Sequence, residues 1–222
     1  MDPRKLKTRI VVELLALATL SVAFLALFPS RPIFVDILLA VVALILLSLN
    51  VNFTKNVVWE QFPIRAPKKD RLRASFIAVF GLTLPLTLIC FGGGVIFGYS
   101  SDGWDGAWNR VAKWHVLISI GLFFPWALLQ QTLFQYFLLG RLLSLLPYRL
   151  AVFSTAMLYG AVHLPDIWIT LATAAAGIPW TYWYYQYRVL TPLAFSHAML
   201  GSVFYYWVYG QDLLETWQGF LK

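Results

Sequence analysis

The sequence predicts an all-α fold, a polytopic transmembrane bundle of about seven spans with a cytoplasmic N-terminus. Three observations predict it. Hydrophobic residues make up 60% of the 222 and charged residues only 12%, whereas soluble domains carry about 25% charged residues. Long apolar runs recur between short polar turns, each long enough for a membrane helix or close to it. The charge is also lopsided. With the runs threaded in order from a cytoplasmic N-terminus, thirteen of the seventeen basic residues fall inside, as the positive-inside rule requires.

The segment MDPRKLKTRI opens the chain with Arg4, Lys5, Lys7 and Arg9. The apolar run that follows, residues 10–28, reads as a first span. It is too long for a signal-peptide core, and no small-residue cleavage site closes it. Glu13 is placed to reach the interface or to pair with a neighbouring basic residue. After a turn at Pro29 to Pro32, residues 33–51 form the second span. Asp36 stands in its first turn, where a carboxylate suits the helix dipole.

Residues 52–73 form a basic loop with Lys55, Arg65, Lys68, Lys69, Arg71 and Arg73 against Glu60 and Asp70. Such a loop orients the chain and attracts anionic lipid headgroups. The basic residues cluster in short loops between spans, which gives no reason to expect nucleic acid.

Residues 74–99 form the third span, interrupted by Pro85 and by Gly92, Gly93 and Gly94. Those glycines permit close helix packing; without a following Lys-Ser or Lys-Thr they are no phosphate loop. Residues 100–113 read as a neutral loop, and its Asp102 and Asp105 are too few for calcium. Residues 114–146 form the fourth span, kinked at Pro125, with Arg141 at its far interface. Residues 150–164, 166–187 and 190–209 complete the set. WTYWYYQYR makes an aromatic belt anchored by Arg188. The tail from 210 has apolar spacing suited to a short helix on the membrane surface.

Polar residues inside apolar runs are costly and mark either function or internal bonding. Gln130, Gln131 and Gln135 lie within FPWALLQQTLFQYFLLGR, and Gln131 and Gln135 share a helix face. The candidate partners are His163 and His197. Helix rise puts Gln130 about 16 Å, His163 about 21 Å and His197 about 13 Å from their cytoplasmic ends. All three depths lie near the middle of a core about 30 Å thick, so a buried polar cluster is expected. Histidine can serve as base, ligand or hydrogen-bond partner, and glutamine as an oxyanion donor. Two histidines are too few for a good zinc site without a carboxylate or a third histidine, and the only other histidine, His115, lies at the opposite interface. No haem, flavin or nucleotide fingerprint is present, so no cofactor is expected. Cys90 stands alone, which rules out a disulfide within the chain.

Three segments carry a family resemblance: PWALLQQTLFQYFLLGRLL, STAMLYGAVHLP and WYYQYRVLTPLAFSHAMLG. They resemble the three motifs of the CPBP family, the CAAX-prenyl and bacteriocin-processing, or abortive-infection, intramembrane proteases. The family's EExxxR falls on Gln130, Gln131 and Gln135. Its FxxxH falls on Tyr159 and His163, and its HxxxN on His197 and Gly201. The resemblance covers roughly residues 120–202. It implies a helical membrane peptidase whose glutamate activates water, with the histidines and asparagine assisting.

Here both acids, the arginine and the asparagine are replaced, and only the histidines match. One implied reading is a non-catalytic relative that binds a membrane protein partner as subunit, scaffold or assembly factor. The other is a working endopeptidase using His163 or His197 with glutamine oxyanion donors. The expected division is a single membrane domain. It comprises an N-terminal hairpin with its basic loop (1–73), a protease-like core (74–209) and an interfacial tail (210–222). The resemblance places the chain in a prokaryotic plasma membrane.

Overall fold

A computed structural model describes residues 3–26, 33–62, 70–212 and 214–215. Every regular element among them is helical. In chain order these are α1 (Pro3–Ala26), α2 (Ile33–Phe53), α3 (Arg71–Val111), α4 (His115–Gln131), α5 (Leu139–Leu143), α6 (Tyr148–Ala161), α7 (Ile167–Tyr187) and α8 (Thr191–Val203). Wider π turns extend α2 over Thr54–Val58, join α4 to α5 over Thr132–Leu138, and extend α8 over Phe204–Tyr209. Among the described residues, three stretches are long and apolar enough to cross a membrane: Val41–Gln61, Arg71–Val111 and His115–Leu143. The all-α fold of an integral membrane protein thus follows from both composition and structure. The tail beyond Glu215 and the middle of the basic loop, 63–69, lie outside the described residues.

Contacts group the chain into two units. The first comprises residues 1–66 and 132–188. Its centre is Arg141, whose side chain is fully buried. Arg141, expected at the far interface of its span, is paired inside the protein. Arg141 Nε and Nη2 each approach Glu13 Oε2 at 2.9 Å. Nη1 donates to Thr54 Oγ1 at 2.8 Å, and the guanidinium lies 3.6 Å from the Phe137 ring centre. A buried charge survives only with partners of this kind. Glu13 takes a second cation, Arg9 Nε at 2.9 Å, and Arg9 also donates to Asn50 Oδ1 at 3.0 Å. The basic N-terminal segment is helical from Pro3, about two turns before the apolar run begins at residue 10.

In the same unit α6 and α7 meet through small residues. A Cβ on Gly160 would come within 2.7 Å of the Ala174 Cβ and the Thr170 carbonyl. Asp166 caps α7 by accepting from the Trp168 and Ile169 amides at 3.1 and 3.0 Å, as an N-cap carboxylate does. At the other end Arg188 closes α7 in a left-handed conformation, φ 54°. Its guanidinium lies 3.6 Å over Trp59, and Trp59 Nε1 donates to the Tyr136 carbonyl at 2.9 Å. The described start of the basic loop is thereby packed against helix ends.

The second unit comprises residues 67–131 and 189–222. Residues 100–111, read as loop from sequence, are mostly helix. α3 bends at Asp102 and Gly103, where Gly103 has φ +61°, a value glycine adopts without penalty. The chain then doubles back on itself. A Cβ on Gly98 would sit 2.6 Å from the Gly106 carbonyl, so two glycines allow the contact that makes this arm fold. Gly94 likewise admits Trp207, whose Cβ would be 2.8 Å from an added methyl. α8 is tied to α3 by a buried Thr83–Ser196 hydroxyl pair at 2.6 Å.

Candidate functional site

The motif positions fall into two groups, one in each unit. In the second unit, Gln130 and Gln131 end α4, and Gln131 is fully buried. His197 lies on α8 and is almost wholly buried. Its ring meets Phe123 edge to face, with centroids 5.3 Å apart. Gly201 follows one turn later on the same face of α8. A Cβ at Gly201 would lie only 2.9 Å from Phe123 Cε1. One phenyl ring of α4 thus covers both His197 and Gly201. Sequence spacing pointed to His197 and Gly201 but gave no hint of Phe123, an ordinary apolar residue until the helices are packed.

In the first unit, Gln135 sits in the π segment and is fully buried. Neither its amide oxygen nor its amide nitrogen has a hydrogen-bond partner among the described residues. Tyr159, on α6, is also fully buried, 4.8 Å from the Phe134 ring and 6.2 Å from Trp180. The turn after α6 brings His163 to Tyr159, with ring centroids 6.0 Å apart. His163 Nδ1 lies 3.1 Å from the Tyr159 carbonyl oxygen. A carbonyl can only accept, so Nδ1 carries the proton. In the neutral ring that leaves Nε2 with the lone pair, the form a base or ligand needs.

The structure therefore brings Tyr159 to His163, and His197 and Gly201 to Phe123. The convergence of Gln130, His163 and His197, expected from helix depth, spans both units and stays an expectation. Asp166, three residues after His163, bonds the His163 backbone through its own amide and acts on its ring electrostatically. Glu13, the acid within the first apolar run, is held by Arg141 and Arg9.

Sequence reasoning also missed a second polar chain in the second unit. Ser119 Oγ bonds the Tyr206 hydroxyl at 2.9 Å, and that hydroxyl donates to Asp212 Oδ1 at 2.7 Å. Asp212 Oδ2 pairs with His115 Nδ1 at 2.8 Å. Burial pushes the Asp212 carboxyl up, but the hydrogen bonds from Tyr206 and His115 outweigh it and hold the group below its ordinary value.

The family model described as Rce1-like, type II CAAX prenyl endopeptidase, matches residues 110–203. That interval contains every motif position named above. No curated protein matches the chain, and no solved structure does.

Proposed function

We propose that this CAAX-protease-like membrane protein is a non-catalytic relative of the Rce1-like endopeptidases, acting as a partner-binding subunit, scaffold or assembly factor of a membrane complex. The observation that carries the reading is the Phe123 ring. It occupies the space beside His197 that an asparagine at position 201 would need. A hydrolase needs a base near the scissile bond and donors for the oxyanion. Here glutamines stand at both acid positions, glycine stands at the asparagine position, and a phenyl ring fills the adjacent space. Glutamine keeps the shape of glutamate and its hydrogen bonding while losing the charge, which suits a retained fold without the chemistry.

The partner side of the proposal rests on composition and surface. Apolar side chains are exposed along α3, α4 and α7, among them Leu88, Ile96, Leu117 and Leu171. In a bilayer such faces meet lipid or another membrane protein, and lipids of the cytoplasmic leaflet would meet the basic loop 52–73. A prokaryotic plasma membrane and seven spans belong to the same proposal.

Two measurements test it. Purification of the intact chain from its own membrane in mild detergent, with mass spectrometry of the copurifying proteins, is expected to return a stoichiometric membrane partner. Incubation of the purified chain with a prenylated CAAX peptide is expected to give no cleavage. Turnover that disappears in His163→Ala and His197→Ala would falsify the non-catalytic reading and establish a histidine-based peptidase.

A further inference from the structure

We propose that His115, Asp212 and Glu215 form a binding site for a first-row divalent cation of the zinc class, which fastens the C-terminal segment to the start of α4. The three side chains come from separate places. His115 is the first residue of α4, whereas Asp212 and Glu215 follow the π extension of α8. One ligand atom from each can be chosen so that all three lie within 4.8 Å of one another. Bonds of about 2.0–2.2 Å in a tetrahedral site put neighbouring donors roughly 3.3 Å apart. The shortest pair here, His115 Nδ1 to Asp212 Oδ2, is 2.8 Å. That pair is closer than the required spacing and all three donors lie within 4.8 Å, so small side-chain rotations would set the coordination distances.

The carboxylate is held ready for such a role. Asp212 Oδ1 accepts from the Tyr206 hydroxyl at 2.7 Å and from the Leu214 and Glu215 amides at 3.0 and 3.3 Å. Tyr206 is fixed in turn by Ser119. These bonds turn Oδ2 towards the imidazole. Outer hydrogen bonds of this kind orient metal ligands and raise their affinity. The Asp212 side chain is nearly buried, the His115 side chain is 28% exposed and Glu215 is exposed. An ion can therefore enter from the Glu215 side, with water completing its coordination.

The chemistry selects the ion. One imidazole nitrogen with two carboxylate oxygens suits zinc, cobalt or manganese better than calcium or magnesium, which prefer all-oxygen shells. Two carboxylates also match a double positive charge. One feature opposes binding: Lys113 Nζ lies 3.8 Å from Asp212 Oδ2 and competes for that oxygen. This gives the site a sign test that a simple hydrogen-bonded lock would not pass.

The test uses tag-free full-length protein in detergent, stripped with chelator and titrated with Co2+ and then Zn2+. Visible Co2+ absorption and the shift in Tm are the readouts. One equivalent of Co2+ is expected, displaced by Zn2+. Affinity is expected to fall at least about tenfold in Glu215→Gln and in His115→Ala, and to rise in Lys113→Gln. Glu215→Gln alters an exposed side chain, so it keeps the test valid if His115→Ala fails to fold. Binding that Glu215→Gln leaves unchanged, or an absence of stoichiometric binding in the folded protein, overturns the proposal.

Discussion

Arg141 and Glu13 stand 128 residues apart and form an ion pair in which the arginine has no exposure. Removing one partner of a buried pair leaves the other charge uncompensated, at a cost of about 3–5 kcal/mol. Arg141→Met or Glu13→Gln is thus expected to lower the unfolding free energy by about 3 kcal/mol. The double variant Arg141→Met with Glu13→Leu is expected to recover most of it, because the desolvation penalty goes as well. Denaturant titration in detergent measures both.

Phe123 makes a second residue-scale case. Gly201→Asn alone forces its Cβ against the ring, and overpacking of this sort costs about 1–3 kcal/mol. Combining it with Phe123→Ala is expected to give a coupling of about 1 kcal/mol in the rescuing direction. Additive behaviour would remove Phe123 as the reason for the glycine.

At the scale of elements, the helix pairs depend on where side chains are absent. Gly160 accepts α7 at contact distances that an alanine could not share, with the nearest atoms at 2.7 Å. Gly177 on the opposite helix faces Ala156 at 3.2 Å, which leaves more room. Gly160→Ala is therefore expected to destabilise the α6–α7 pair by more than Gly177→Ala, with about 1–3 kcal/mol for the former. Thermal unfolding of the two variants ranks them, and an equal or reversed order would mean the pair is held elsewhere. The doubled-back arm of α3 is a further lesson. Residues 100–111 look like a polar loop because Gly, Ser, Asp and Asn cluster there. Their helix forms because Gly98 and Gly106 let the two arms touch, a tertiary event that local propensity does not register.

At the scale of the molecule, the proposed role makes one more prediction. Restoring the family acids with Gln130→Glu and Gln131→Glu is expected to yield no peptidase activity while Phe123 covers His197, as an assay on a prenylated peptide would show. Cleavage by that variant would mean that the loss of charge alone had silenced the site.

The all-α membrane class and most helix positions were legible in the sequence, because burial in lipid demands long apolar runs with internally bonded backbones. The glutamines and histidines stood out as candidates, since such residues are conspicuous in apolar segments. Tertiary structure alone decided which polar groups satisfy each other. Glu13 with Arg141, Arg188 on Trp59, and Asp212 with Tyr206 and His115 are pairings across long sequence separations. Hydropathy reports how costly a group is to bury; only packing sets which partner offsets that cost.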